Sequence, residues 1–456
     1  MKWNRIVLIF LAVFCIFGNS EPAKQAEKSK TVFLDKKIIS KSLYGRLIVK
    51  FSPKTPIEIR RKFFKDMEVE IIETDVFGFD IAGFKKPIKN AGSVSRDIAG
   101  MAYLLPAERV IIEYEIELPK KKKAKPQGGC LADVRSGGEK KFLEHWFDKE
   151  IGISKAHEFL AKRRVPLHPS GIVIVDEGPD FGHPDIKPVL RYRAGKPIYW
   201  AGDLAFSSPE MLFGNHGCHV SCLAAGYRDG NGIDGVAAQN AYLLPLMVDF
   251  DGDDAVFASD IARGLKYFKK LESAGEIHWR VVNMSFLFHN SKIVYAAMQE
   301  LSDKLFVASA GNSDEDGIPV NLDRAPPNKK FYPASWALPN KIAVAATDEN
   351  SKLADFSNYG KNTVPIAAPG AKVTSCSLKG EYVRMKGTSM ASPLVAGTAQ
   401  LLFAMKRNLS VAQVEVFIFQ GATSASALKY QINDGLILNV RNSVELLYNA
   451  IKNKNP

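Results

Sequence analysis

The sequence predicts an α/β protein: a mostly parallel sheet covered by helices on both faces, preceded by a small α+β domain. Three observations carry this. First, apolar runs near 172–176, 242–247, 280–285, 304–309, 341–346 and 364–367 alternate with helical stripes. Second, residues 46–118 hold a shorter pattern of alternating strands and one-sided helices. Third, Ser389 is followed by Ala391, Leu394, Val395, Ala396, Ala399, Leu401 and Leu402, small and apolar residues that suit a helix buried in the centre of a domain.

The chain has 456 residues, 46% apolar and 24% charged, which is ordinary for a globular protein of two or three domains. Lys2 and Arg5 precede an apolar run from Ile6 to Phe17, and Gly18-Asn19-Ser20 offers small residues for cleavage. Residues 1–20 therefore read as a secretory leader, too short to span a membrane comfortably, and no second long apolar run follows. Membrane association is expected only through an uncleaved leader or through lipidation at Cys15. A polar, lysine-rich lead runs from Glu21 to about Lys41. Next come a strand at Arg46–Phe51, a helix at Ile57–Phe64, strands within Val69–Phe84 broken at Gly78, a helix at Val94–Leu105 and a strand at Val110–Leu118. Lys120–Lys123, Lys125 and Pro126 to Gly129 make a self-repelling, unpacked linker. The division is thus 1–20 leader, 21–125 lead, small domain and linker, and 126–456 a large α/β domain.

The net charge of +12 partly reflects the leader, lead and linker. No basic stripe with interleaved aromatics marks the large domain, which argues against nucleic-acid binding.

In that domain a helix beginning after Gly387 mounts the hydroxyl of Ser389 at its N-terminus. Amides without intrahelical partners and the positive end of the helix dipole lie there, so a negative charge forming beside Ser389 is stabilised. Strand-like runs end at Asp176 and Ser309, and ligands of such sheets bind at the carboxyl ends of strands.

The stretch Gly387-Thr388-Ser389-Met390-Ala391-Ser392-Pro393 resembles the signature of subtilisin-like serine proteases. Three further stretches extend the resemblance: Gly171–Asp176 continuing to Phe181–Ile186, Asn215–Val220, and Ser309–Asn312. The resemblance implies a three-layer catalytic domain and a secreted endopeptidase. It assigns Asp176, His216 and Ser389 as the triad, in the family's chain order, and Asn312 as the oxyanion donor. The chemistry is consistent. A serine hydroxyl needs a base, imidazole titrates near neutrality, a carboxylate fixes its tautomer, and an amide can hold the oxyanion. Taken singly, Asp at a strand end is usually a turn residue and His-x-x-His suits a metal as well.

By the same resemblance Ser285, Phe286, Leu287, Ala310 and Gly311 line the substrate site. The family usually has small glycines after the equivalent of Ser285, so Phe286-Leu287-Phe288 is expected to narrow the pocket in favour of small residues. The small N-terminal domain resembles the family's inhibitory propeptide. Protein or peptide substrates and the chain's own propeptide are the implied partners. No cofactor is needed for the chemistry, and a structural calcium is implied at Asp185 and Asp229. Glu177 stands where the family has a hydroxyl residue; its charge either raises the pKa of His216 or faces solvent or a lysine. Cys130, Cys218, Cys222 and Cys376 are an even number that a secreted chain can pair, although Cys218 and Cys222, four apart on one helix, are poorly arranged to bridge each other. A free Cys218 would make activity sensitive to mercurials unless it is a buried, inert thiol. Other functions compatible with the sequence are a non-catalytic binding protein on the same scaffold, or a ligase or cyclase that passes the acyl group to an amine.

Overall fold

The structure, a computed structural model, describes residues 11–13, 44–51, 55–67, 69–84, 110–117, 146–201, 213–248, 258–288, 290–314 and 316–453. Two compact units divide the chain. One comprises residues 1–124, 251–266 and 290–297, the other 125–250, 267–289 and 298–456.

In the first unit a sheet of order β1-β5-β2-β4-β3 is formed by β1 (Leu11–Val13), β2 (Tyr44–Lys50), β3 (Val69–Val76), β4 (Phe79–Phe84) and β5 (Val110–Glu117). Each neighbouring pair is antiparallel. β3 and β4 turn over through Phe77 and Gly78, both at positive φ (49° and 78°), the backbone that a two-residue hairpin demands. A helix, Ile57–Asp66, buries Phe63 and Phe64. Both rings meet Phe51 edge to face with centroids 5.6 Å apart. The helix expected at 94–105 and the linker lie outside the described residues, and of the expected leader only β1 is described.

The second unit is built on an eight-stranded sheet. Its strands are β6 (Ser170–Asp176), β9 (Ala241–Met247), β10 (Trp279–Met284), β11 (Leu305–Ser309), β12 (Lys341–Thr347), β13 (Ile366–Pro369), β16 (Thr423–Ser424) and β17 (Leu436–Ile437); β7 (Tyr192–Arg193) with β8 (Lys196–Pro197), and β14 (Val373–Cys376) with β15 (Tyr382–Met385), form separate hairpins. The order is β16-β17-β13-β12-β11-β10-β6-β9. All neighbours are parallel except β16, which runs antiparallel to β17. The layering follows from side-chain alternation. On β12, Ile342, Val344 and Ala346 enter one core while Ala343 and Ala345 enter another. A strand buried on both faces carries no polar alternation, which is why it reads as a plain apolar run.

The first core holds the helix Thr388–Met405, in which every residue except Ser389 is buried. The helix Asn215–Ala225 packs against it. Contact is close enough that a Cβ on Gly397 would stand 2.6 Å from the carbonyl oxygen of Ala224. Two helices, Trp146–Ile151 and Ile153–Lys162, precede β6 and are separated where Gly152 takes a left-handed φ of 73°. On the helix Ala258–Ser273, Ile261, Leu265 and Phe268 are buried. On Lys292–Glu300 the buried face turns toward Val294 and Met298, leaving Ala296 half-buried. A disulfide joins Cys222 to Cys376, 154 residues on, fastening the helix Asn215–Ala225 to β14.

Candidate active site

Helix Thr388–Met405 contains Pro393, which has no N–H to give to the carbonyl four residues earlier. That carbonyl belongs to Ser389, and it accepts instead from the hydroxyl of Ser285 at 2.9 Å. In return the Ser389 hydroxyl donates to the Ser285 carbonyl at 2.8 Å. Behind them Asn283 donates from Nδ2 to Ser285 Oγ (2.9 Å) and accepts at Oδ1 from the Ser392 hydroxyl (2.7 Å). The start of the helix is thus fastened to the carboxyl end of β10, and Ser389 is the one residue of that helix that reaches toward solvent.

Asp176 closes β6, whose seven residues are all buried. Its Oδ1 lies 2.7 Å from Nδ1 of His216 and accepts the Glu177 N–H at 2.8 Å. His216 sits in the first turn of helix Asn215–Ala225. Asn215 is held in place there by the Ser377 hydroxyl at 2.8 Å and the Leu378 N–H at 3.2 Å, both donating to its Oδ1. A fully buried carboxylate on Nδ1 dictates that this nitrogen carries hydrogen, which leaves Nε2 as the basic position.

Asn312 follows β11. Its Oδ1 accepts both the N–H and the hydroxyl of Thr388, each at 2.9 Å, while the Thr388 oxygen accepts the Gly311 N–H at 3.1 Å. These donors fix which end of the amide is oxygen. Its Nδ2 stands 3.3 Å from the place a Cβ on Gly387 would occupy, so the glycine keeps that end of the amide uncovered. Thr388 is the residue that sequence reasoning missed here. The only signal was a hydroxyl residue directly before Ser389.

Of the five residues assigned to substrate, Ser285 supports Ser389 as described, and Ala310 and Gly311 are buried beside Asn312. The three bulky residues do not act together. Leu287 is 41% exposed, whereas Phe286 and Phe288 are buried, 5.8 Å apart between ring centroids, with Phe288 also 5.6 Å from Trp336. A Cβ on Gly311 would lie 2.5 Å from Cδ1 of Phe331, so this ring covers the glycine next to Asn312.

Glu177 is half-buried, and among the described residues no ion pair joins it to a lysine. Its Oε2 accepts the His216 N–H at 3.3 Å. Burial foremost, and then the neighbouring charge of Asp176, raises its carboxyl above the ordinary value.

Asp185 Oδ2 accepts from two hydrogen donors, the Ile233 N–H (2.9 Å) and the Tyr382 hydroxyl (2.9 Å), and the disulfide sulfur of Cys376 lies 3.6 Å away. Asp229 accepts the Asn231 N–H at 2.9 Å, closing a turn. Calcium requires several oxygen lone pairs converging on one point, and donors converging on Asp185 do not fit that requirement. Near Asp185 the side chains of His183, Cys222 and Cys376 also cluster. Their valences are taken: Nδ1 of His183 accepts the Asp185 N–H at 3.1 Å, Nε2 faces the Glu381 carbonyl at 3.2 Å, and the two cysteines form the disulfide. Cys218 is free and buried, and burial pushes its thiol up to about 12, an inert group at neutral pH.

A model of the subtilase family matches residues 171–437. Among curated proteins, the thermophilic serine proteinase of Bacillus sp. (strain AK1) is 33% identical over 241 residues, covering 52% of this chain and 53% of that protein. Subtilisin BL of Lederbergia lenta is 32% identical over 279 residues, 60% of this chain and 91% of its own length. The chain spans about half the length of the thermophilic proteinase, and 43% of halolysin from Haloferax mediterranei. Among solved structures, that titled the structural basis of subtilase cytotoxin SubAB assembly matches with a TM-score of 0.54 and 18% identity, over 67% of this chain and 97% of its own, a likeness of fold. With more than half of its length matched by the family model, and with that match running from β6 to β17, the chain belongs to the subtilase family.

Proposed function

We propose that this protein is a secreted serine endopeptidase made as a precursor. The observation that carries the reading is the 2.7 Å contact between buried Asp176 and His216, in a domain whose central helix exposes only Ser389. Turning from the Ser285 carbonyl, the Ser389 oxygen attacks the peptide carbonyl and its proton passes to Nε2 of His216. Asp176 stabilises the imidazolium. The oxyanion is held by Nδ2 of Asn312 and by the Ser389 N–H, a first-turn amide with no intrahelical acceptor. As the C–N bond breaks, the departing amine takes the proton, and water repeats the sequence on the acyl-enzyme. No metal or organic cofactor enters these steps. The substrate is a protein or peptide, and residues 21–125 serve as the inhibitory propeptide, a role supported by their sequence pattern and by the antiparallel sheet of the first unit. Among the described residues no helix is long and apolar enough to cross a membrane.

The test is fluorophosphonate labelling and casein cleavage by purified protein beside Ser389→Ala. Labelling and cleavage lost together in the variant are expected; wild-type protein that does neither after removal of residues 1–125 defeats the reading. N-terminal sequencing of active secreted material is expected to begin beyond residue 117, and an intact start at residue 21 defeats the maturation step.

A further inference from the structure

The helix that carries His216 has an unusual beginning. Its N-cap is Gly214, which has no side chain with which to cap the first amides. The missing acceptor comes from another segment of the chain. Glu177 Oε2 accepts the His216 N–H at 3.3 Å, and the Gly217 amide also bonds to this carboxylate. The fit requires glycine at both neighbouring positions. A Cβ on Gly214 would stand 1.7 Å from Glu177 Oε2, and one on Gly217 would stand 1.9 Å from the Glu177 carbonyl oxygen. The Gly214 N–H donates to the Gly178 carbonyl at 2.9 Å, so the contact extends along the backbone. Glu177 also gives its own N–H to Asp176 Oδ1, the oxygen that meets His216. One residue therefore touches both members of the Asp176–His216 pair.

We propose that Glu177 is a positioning residue for His216: its carboxylate caps the histidine helix from outside and places a second negative charge beside the imidazole. The proposal rests on the peptidase reading above. Two effects follow. The cap fixes where the first turn begins, and with it the ring's distance from Asp176. The charge favours the imidazolium, so His216 holds a proton to higher pH than Asp176 alone would arrange.

Among the described residues, the other titratable groups on the elements that pack against the histidine helix can be named. Asp176 belongs to β6, and Asp180 follows in the next loop, its N–H on the Cys218 sulfur at 3.1 Å. On the histidine helix, Cys218 is a neutral thiol, Cys222 is in the disulfide and His219 contacts the Val373 carbonyl at 3.0 Å. The packed helix Thr388–Met405 and strand β14 contain no ionisable side chain apart from disulfide-bonded Cys376, and β9 has only Tyr242, at its far end opposite Gly171.

The experiment compares wild type, Glu177→Gln and Glu177→Ala. Gln keeps an acceptor for the His216 amide and loses the charge, whereas Ala loses both. With a peptide substrate, Gln is expected to move the acid limb of kcat/KM to lower pH by about 0.5–1 unit with little change in the plateau. Ala is expected to show the same shift and in addition a roughly tenfold lower kcat at unchanged KM. In a Ser389→Ala background, NMR titration of His216 is expected to show the same downward shift when Glu177→Gln is added, a readout independent of turnover. Wild-type acid limbs in both variants, with His216 titration unmoved, overturn the proposal while leaving the peptidase reading intact. A wild type that neither labels with fluorophosphonate nor cleaves peptides sinks the peptidase reading, and the NMR titration then still decides whether Glu177 charges His216.

Discussion

The hydroxyl of Ser285 donates to the carbonyl oxygen of Ser389 at 2.9 Å, in the place of the amide hydrogen that Pro393 lacks. A proline inside a helix normally leaves an acceptor unsatisfied. Here that acceptor is used to dock the start of the helix on the end of β10. Ser285→Ala is therefore expected to cost about 1 kcal/mol of stability and to lower kcat/KM several-fold without abolishing it. Thermal unfolding and steady-state kinetics check this; an unchanged variant in both would remove the docking role.

Removing members of the tetrad is expected to cost unequal amounts. Asn312→Ala, which deletes one oxyanion donor, should lower kcat by about 100- to 1,000-fold with KM little altered. Asp176→Asn should cost about 10,000-fold, since it favours the wrong imidazole tautomer. Peptide hydrolysis measured on mature protein gives both numbers, and a fall of less than tenfold in either case would reassign that residue.

Phe331 is expected to govern the size of residue accepted before the scissile bond. If Ser285 and Gly311 line the substrate site, as the family resemblance implies, the Phe331 ring that covers Gly311 bounds the space for the residue before the scissile bond. Wild type should prefer small residues there. Phe331→Gly should raise kcat/KM for a large apolar residue at least tenfold relative to alanine, a size of effect reasonable for one opened apolar pocket. A peptide library read against both proteins decides, and strong wild-type cleavage after Phe or Tyr is the contrary result.

Loss of the Cys222–Cys376 bond should destabilise the second unit by about 2–5 kcal/mol, because it closes a loop of 154 residues and fastens the histidine helix to β14. Cys222→Ser with Cys376→Ser should lower the unfolding midpoint, while Cys218→Ser should leave it nearly unchanged. Thiol titration of native protein should find Cys218 unreactive, so mercurial inhibition of native enzyme would contradict its burial.

The joint contribution of Glu415 and Lys341 to stability should pass through a minimum near neutral pH. Burial pushes Glu415 up to about 7 and pulls Lys341 down to about 8. Between about 4.5 and 7 the folded protein binds the extra proton on Glu415, so its contribution to stability falls as pH rises. Between about 8 and 10.5 the unfolded chain binds the extra proton on Lys341, and stability rises with pH. Glu415→Gln should flatten the first slope in denaturant titrations across pH, and a slope equal to wild type would show that Glu415 is hydrated in the folded protein.

The sequence by itself determined the parallel sheet and the buried central helix, and it singled out Asp176, His216, Ser389 and Asn312 as candidates, because each rests on a local pattern. Four apolar residues, Ile172 to Val175, lead into Asp176 on β6, and the Ser389 helix carries small and apolar residues on every side; such runs have few ways to be buried. What depends on segments far apart in the chain was decided by tertiary structure alone. In the sequence Glu177 could equally charge His216 or face solvent; the first turn of the histidine helix, 39 residues later, is what comes to lie on its carboxylate. Phe331 carried no signal, since its relation to Gly311 exists only after two loops are folded together. Asp185 matched a calcium ligand in sequence, but Tyr382, 197 residues on, supplies a proton donor there. Periodicity reports which face of an element is buried; it does not report what comes to lie against that face.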